Sequence, residues 1–283
     1  MWDATPVRCS GQDEREARIV DTAPQTWHRG LVAEWWAEFN LDGPEIEYFG
    51  RFVERGQPAL DAGCGTGRLL LPWLRAGFDV DGCDCSRDMI ALCREHAALE
   101  GFDPALLVQP LHELDPPRRY RTVVACGVFG LGSTRTQDKE ALRRFHRLIE
   151  PGGTLLLDNQ VPYSNPRIWR QWTKEERSGL PEPWPDSGVR KRAGDGTEYE
   201  LRTRTTAVDP LDQTVTLEVR VEKRRGDQLL ATEEHALTMR AYFCEELRLM
   251  LLEAGFADVV VRGDYADDEP TADSGFLVFL ATR

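Results

Sequence analysis

Pro58-Ala59-Leu60-Asp61-Ala62-Gly63-Cys64-Gly65-Thr66-Gly67-Arg68-Leu69-Leu70 decides the fold of this chain. The run reads as a buried strand, a glycine-rich turn and the first turn of a helix. Glycines alternate at Gly63, Gly65 and Gly67. Glycine tolerates positive φ and lets a ligand lie against bare backbone. The helix that follows points its free N–H groups at whatever occupies the turn. Asp61 adds a carboxylate beneath the loop. A dinucleotide fingerprint would run G-x-G-x-x-G; here the spacing is G-x-G-x-G, and Arg68 stands where that pattern needs its third glycine.

A second acid lies about 20 residues further on. Phe78-Asp79-Val80-Asp81-Gly82-Cys83-Asp84 reads as the next strand and Ser86 to Cys93 as the start of its helix. A carboxylate at the end of a second strand can accept both ribose hydroxyls of an adenosine. Asp84 fits that place. It can also cap the helix, although Ser86 and Asp88 are equally able to do so. With Asp61 the first run becomes D-x-G-x-G-x-G, which resembles motif I of the class I S-adenosylmethionine (SAM)-dependent methyltransferases. The string DGCDCSRDMI (81–90) resembles the end of the second strand in small-molecule members of that family.

Composition narrows the class only modestly. With 283 residues, 41% of them apolar and 29% charged, the chain is neither disordered nor membrane-spanning and can bury a large core. No apolar run reaches the length of a transmembrane helix, and the N-terminus lacks a basic-then-apolar secretory signal. Seven cysteines are scattered without paired C-x-x-C knuckles, so no metal is expected, and reduced thiols in a cytoplasm are the default. The formal charge of −13 opposes binding to phosphate polyanions, so neither nucleic acid nor a membrane is expected as a partner.

Periodicity supplies the rest of the layout. Residues 1–24 are polar, with Pro6 and Pro24, and are expected to be loosely held. Residues 27–39 and 44–54 read as helices, with Leu31, Trp35 and Phe39 at helical spacing and Pro44 suited to a first turn. Strands at 58–62, 78–84, 105–109, 120–126 and 154–158 alternate with helices at 67–76, 86–99 and 137–149. This is the pattern of a parallel sheet covered on both faces. Beyond Val161 the alternation stops. Residues 163–178 read as helical, and three antiparallel runs then span about 197–239, with turns at 209–212 and 225–227. A helix at 243–254 and strands near 257–262 and 275–282 close the chain.

The resemblance covers 58–160 and 240–283. It implies an α/β fold: a doubly wound Rossmann-like sheet of seven strands, the last one antiparallel, with an inserted small antiparallel β-meander. The expected units are a helical lead-in or cap (1–56), a SAM-binding core (57–162 and 240–283) and a meander lid on the acceptor side (163–239). It implies SAM as cofactor, with S-adenosylhomocysteine as product, and contacts from Asp61, Gly63, Cys64, Gly65, Gly67, Asp84, Cys85, Met89, Leu111, His112 and Cys126. Leu111 stands where many relatives carry an acid for the adenine amino group.

Methyl transfer is an in-line displacement, so alignment supplies much of the rate and a base is needed only for a protonated acceptor. His28 is the candidate base or acceptor contact. Phe129, Asn159, Tyr163 and Tyr242 are candidate pocket residues, and Asp158, Gln160 and His235 stand nearby. Six of the eight tryptophans fall at 27, 35, 36, 169, 172 and 184, in the lead-in and the insertion. An aromatic enclosure there favours a flat or apolar acceptor. These residues can equally pin the lid to the core.

The function expected is methyl transfer to an O or N atom of a small molecule in the cytoplasm. Two alternatives stay open. One is a SAM-fold enzyme or binding protein that transfers no methyl. The other is a nucleic-acid or protein methyltransferase, against which the charge and Cys126-Gly127-Val128-Phe129, in place of an Asn-Pro-Pro-Tyr type motif, both argue. Monomer and homodimer remain equally open, the second by pairing of an exposed sheet edge.

Overall fold

The structure, a computed structural model, describes residues 26–283. The expectations for residues 1–24, including the loose tail and most of the first half of the 1–56 unit, lie outside the described residues.

A seven-stranded sheet organises the chain. Its strands are β1 (Ala59–Ala62), β2 (Val80–Asp84), β3 (Leu106–Val108), β4 (Tyr120–Ala125) and β5 (Ile149–Gln160), followed near the C-terminus by β10 (Asp258–Gly263) and β11 (Phe276–Thr282). The spatial order is β3-β2-β1-β4-β5-β11-β10, and β11 runs antiparallel to both its neighbours. The order reverses between β1 and β4, so the crevice of an open α/β sheet opens there, beyond the strands' carboxyl ends.

Two apolar layers hold this sheet. On one face Leu60, Val123, Leu155 and Leu157 pack under α5 (Arg135–Leu148) and α8 (Cys244–Glu253) through Leu142, Phe145, Leu247 and Leu251. On the other, Ala59, Val124, Leu156 and Val278 meet α2 (Pro44–Arg55), α3 (Leu70–Arg75) and α4 (Arg87–Leu99) through Phe49, Val53, Leu70, Trp73 and Ile90. Each such buried side chain contributes roughly 1.5–3 kcal/mol, against 0–1 kcal/mol for an exposed ion pair. The layers, rather than surface charges, therefore set where the strand ends point.

The insertion is a second sheet, in the order β6-β7-β8-β9: β6 (Val189–Arg192), β7 (Glu198–Asp209), β8 (Thr214–Arg225) and β9 (Gln228–Arg240). Sequence periodicity finds three of these strands. The fourth, β6, is exposed at every residue and carries no apolar alternation to betray it. The single helix expected over 163–178 is two short ones, α6 (Pro166–Arg170) and α7 (Lys174–Arg177). Asn165 and Thr173 each cap a fresh start with their own side chain.

α1 (Gly30–Phe39) and α2 part company. α2 covers the large sheet, whereas α1 lies on the inner face of the insertion, where Trp27, Leu31, Val32 and Trp35 pack with Tyr199, Val219, Val221 and Leu237. The start of α1 carries no capping side chain of its own. Instead the Gly30 N–H donates to Asp88 of α4 at 2.8 Å and the Leu31 N–H to Glu233 of β9 at 2.9 Å. The insertion is docked again where Leu131 bridges Met239, and where the Gly132 and Arg240 N–H groups donate to the Thr238 and Gly130 carbonyls. No helix among the described residues is long and apolar enough to cross a membrane.

Candidate active site

The glycine loop leaves β1 with two successive N–H groups, of Gly63 and Cys64, donating to the Cys83 carbonyl at 2.7 and 2.9 Å. This ties the loop to the end of β2. Gly63 has φ +90°, and a side chain there would run into Val128 from the far side of the crevice. Gly65 has φ +54°, and a Cβ there would meet nothing within 4 Å because it would project into open cavity. The first glycine is thus required by its neighbours and the second by the space it leaves. Gly67 does a third job. It does not line the cavity, but packs against Leu71 and Cys93 beneath the loop.

That cavity, about 290 Å³, sits over the switch point. It is lined by Asp61, Gly63, Cys64, Gly65, Asp84, Cys85, Met89, Leu111, His112 and Cys126. Ten of the eleven residues expected at a cofactor site are therefore brought to one wall set, and Gly67 is the one left out. Sequence reading missed several others, among them Thr66, Arg68, Ser133 and Asp138. They come from the loop after Gly65 and from the start of α5, where no spacing rule singles them out.

Two acids dominate its floor. Asp84 accepts from the Gly65 N–H at 3.1 Å with one oxygen and from the Ser86 N–H at 2.8 Å with the other. Burial raises its pKa, opposed by those donors. Ser86, not Asp84, caps α4 by accepting from the Met89 N–H, so Asp84, also bonded by Cys85, lines the cavity without serving as the cap. Asp61 is 2% exposed, and one of its oxygens is buried without a partner. Burial pushes its carboxyl up to about 7, although Arg68 pulls it down. Arg68 is itself ion-paired to Glu45 of α2.

The opposite lip is fixed from below. Asp158, at the end of β5 and 4% exposed, accepts from the Gly127 N–H, the Cys126 thiol at 3.1 Å and the Tyr265 hydroxyl at 2.6 Å. Its donors are all internal, so it serves as an anchor for the turn after β4. Burial raises the Cys126 thiol pKa, with Asp158 adding to the effect, so the thiol remains protonated and acts as a donor.

A second cavity, about 340 Å³, adjoins the first and shares His28, Trp36, Gly127, Val128 and Leu131 with it. It runs toward the insertion, where Val215, Leu237 and Met239 form its far wall, and includes Phe129 and Asn159. Tyr163 and Tyr242 line neither cavity. Tyr163 is 43% exposed and meets Trp169 edge-on outside. Tyr242 is fully buried, donating to Asp138 at 2.6 Å while its carbonyl accepts from the Asn159 side chain at 2.9 Å. His235 also lies apart: it pairs with Glu233 at the start of α1.

His28 stands at the junction. Its Nε2 accepts from the Trp27 indole N–H at 3.1 Å and its Nδ1 lies 2.7 Å from the Thr26 hydroxyl. An indole only donates, so Nε2 carries no proton and Nδ1–H faces Thr26. Burial lowers the imidazole to about 4. A general base works best with a pKa near the working pH, and this ring is neutral, weakly basic and already engaged at its lone pair.

Residues 59–153 match a family model described as a methyltransferase domain. The chain therefore carries a methyltransferase domain over those residues. It is similar to a protein of Geobacillus sp. (strain WCH70) named as a methyltransferase, with 22% identity over 84% of this chain and 89% of that protein. In fold it is similar to the CcbJ methyltransferase from Streptomyces caelestis, at a TM-score of 0.67 and 22% identity over 92% and 97% of the two chains. It is similar also to SAM-bound CalS10, an amino pentose methyltransferase from Micromonospora echinaspora, at a TM-score of 0.58 and 18% identity over 91% and 98%. CalS10 holds SAM, the cofactor that the glycine-loop motif of this chain leads one to expect. The residues present fit it: open space above Gly65, an unpartnered buried carboxylate oxygen on Asp61 and the Asp84 carboxylate in the cavity wall suit a ligand that carries an ammonium, a sulfonium and a ribose.

Proposed function

We propose that this methyltransferase transfers a methyl group to an O or N atom of a small molecule held in the second cavity. The observation that carries this reading is the junction at His28, Trp36, Gly127, Val128 and Leu131, where two cavities share a wall. SAM, when bound, supplies an electrophilic methyl on a sulfonium. In this reading Gly63, Cys64 and Gly65 let it lie against backbone, Asp84 accepts from the ribose hydroxyls, and Leu111 and His112 border the adenine. Asp61 faces the cationic end.

The chain's own contribution is alignment. Gly127 and Val128, fixed by Asp158, hold one lip of the passage between the cavities, and His28 and Trp36 hold the other. Holding the acceptor in line at this junction supplies much of the rate in such a displacement. Of the two roles expected of His28, acceptor contact fits and general base does not, given its low pKa and its bond to Trp27. The meander and α1 together wall the acceptor side. A cavity of about 340 Å³ between two secondary-structure layers suits a small molecule.

The test is incubation with methyl-labelled SAM and pooled small metabolites, followed by chromatography. Label in a small product with equimolar S-adenosylhomocysteine is expected. Label only in added RNA or protein, or binding of SAM without any transfer, would overturn the reading.

A further inference from the structure

The second cavity is unevenly equipped. Its walls are mostly apolar and aromatic: Trp27, Trp36, Phe129, Ile168, Trp172 and Met239 among them. Two polar atoms of its lining residues are buried without a partner, Trp172 Nε1 and Ser164 Oγ, while Arg240 Nε lacks a hydrogen bond but pairs with Asp138 at 3.9 Å. An indole N–H and a guanidinium N–H only donate, and a serine hydroxyl can donate. A buried donor left without an acceptor costs roughly 1–3 kcal/mol, so such groups in a cavity point to what fills it.

The acidic side is already spent. Asp158 is the one carboxylate of this lining, and its oxygens take the Gly127, Cys126 and Tyr265 donors. Asn165 uses its side-chain oxygen on the Arg167 and Ile168 N–H groups. A cationic ligand would lose its hydration here and find no free carboxylate. Outside, Tyr163 and Trp169 are 43% and 38% exposed, and Trp169 sits 5.5 Å from Trp172, centroid to centroid. This continues the aromatic surface from the cavity to solvent.

We infer that the acceptor is an uncharged planar ring system bearing oxygen acceptors, a phenol or quinol type molecule whose oxygens meet Trp172 Nε1 and Ser164 Oγ, rather than an ammonium-bearing one. The inference rests on the reading of the second cavity as the acceptor site. The chemistry it entails is O-methylation. A carbon–oxygen bond forms, the carbon–sulfur bond breaks with its electron pair left on sulfur, and the hydroxyl proton leaves to water.

Two probes matched in size separate the classes: 1-naphthol, neutral at pH 7, and 1-naphthylmethylamine, cationic there. Each is titrated into the full chain with S-adenosylhomocysteine present and read by calorimetry. Naphthol is expected to bind at least about tenfold more tightly, the worth of one desolvated charge or one good hydrogen bond. Trp172→Phe and Ser164→Ala should each weaken naphthol about fivefold and leave the amine unchanged. Met239→Trp, which fills the cavity, should abolish binding of both. Retained affinity for S-adenosylhomocysteine in every variant reports a folded core. Equal affinities for the two probes, both lost in Met239→Trp, would overturn the acceptor class and keep the site. Probe binding untouched by Met239→Trp would overturn the site itself.

Discussion

Asp61 offers the sharpest quantitative test. Its carboxyl is raised to about 7 from an ordinary 3.8 because it is buried and one oxygen has no donor. A carboxylate whose folded pKa lies above its unfolded pKa costs stability as pH rises between the two values. The cost is absent below about pH 4 and complete above about pH 7. The difference of about three pH units corresponds to about 4 kcal/mol at pH 8, and to under half of that at pH 5. Asp61→Asn keeps the shape and removes the titration. Ligand-free Asp61→Asn protein should therefore be more stable than the parent at pH 8, by up to about 4 kcal/mol and thus several degrees in melting temperature. The advantage should shrink as pH falls toward 4. The same variant should bind S-adenosylhomocysteine more weakly, because an amide cannot pair with an ammonium. Affinity of the parent should also fall by about tenfold per pH unit below 7, as Asp61 takes up its proton. Thermal unfolding across pH 4–8 and calorimetry with S-adenosylhomocysteine read both effects. A variant less stable than the parent at pH 8, or a parent affinity flat from pH 7.5 to 5.5, would refute the assignment of Asp61 as a strained acid awaiting a cation.

Gly65→Val should leave the fold intact but abolish cofactor binding, since the side chain would enter open cavity at φ +54°; normal S-adenosylhomocysteine affinity by calorimetry would show the loop to be a mere turn. Asp84→Ala should weaken cofactor binding by roughly 1.5–3 kcal/mol, and an unchanged dissociation constant would remove Asp84 from the ribose. Glu233→Ala removes an acceptor of the α1 start and should cost about 1 kcal/mol, seen as a melting temperature lower by a few degrees, with no loss of cofactor affinity.

The first half of the large sheet was legible because its signals are local. Glycine spacing marks the loop after β1, and short apolar runs ended by Asp61 and Asp84 mark two strand ends. Boundaries shifted where one residue overrode the pattern. The helix expected from residue 67 begins at Leu70, because Gly67 takes φ +97° in the turn before it. The strand expected over 154–158 runs from Ile149 to Gln160, since pairing with β11 extends it to Gln160 opposite Phe276. Non-local facts were not legible. Nothing in Tyr242 announces that it is fully buried with its hydroxyl on Asp138. Nor does the Trp27 indole announce that it occupies the lone pair that makes His28 look like a base. The distinction between α1 and α2 was hidden for the same reason: both are amphipathic, and only the partner sheet differs.

The start of α1 has a consequence for how the chain assembles. A helix normally carries its first hydrogen-bond acceptor within a few residues, so its initial turn can form by itself. Here the acceptors arrive from Asp88 and Glu233, 58 and 202 residues away along the chain. Closing loops of that length is slow, and it requires α4 and β9 to be in place first. The ten-residue segment Gly30–Phe39 is therefore expected to become helical late in folding, and only upon docking. Its first amides should exchange with deuterated solvent at the rate at which the second sheet lifts from the first. Protection at Gly30 and Leu31 would then serve as a native-state clock for that separation, rather than a measure of helix fraying.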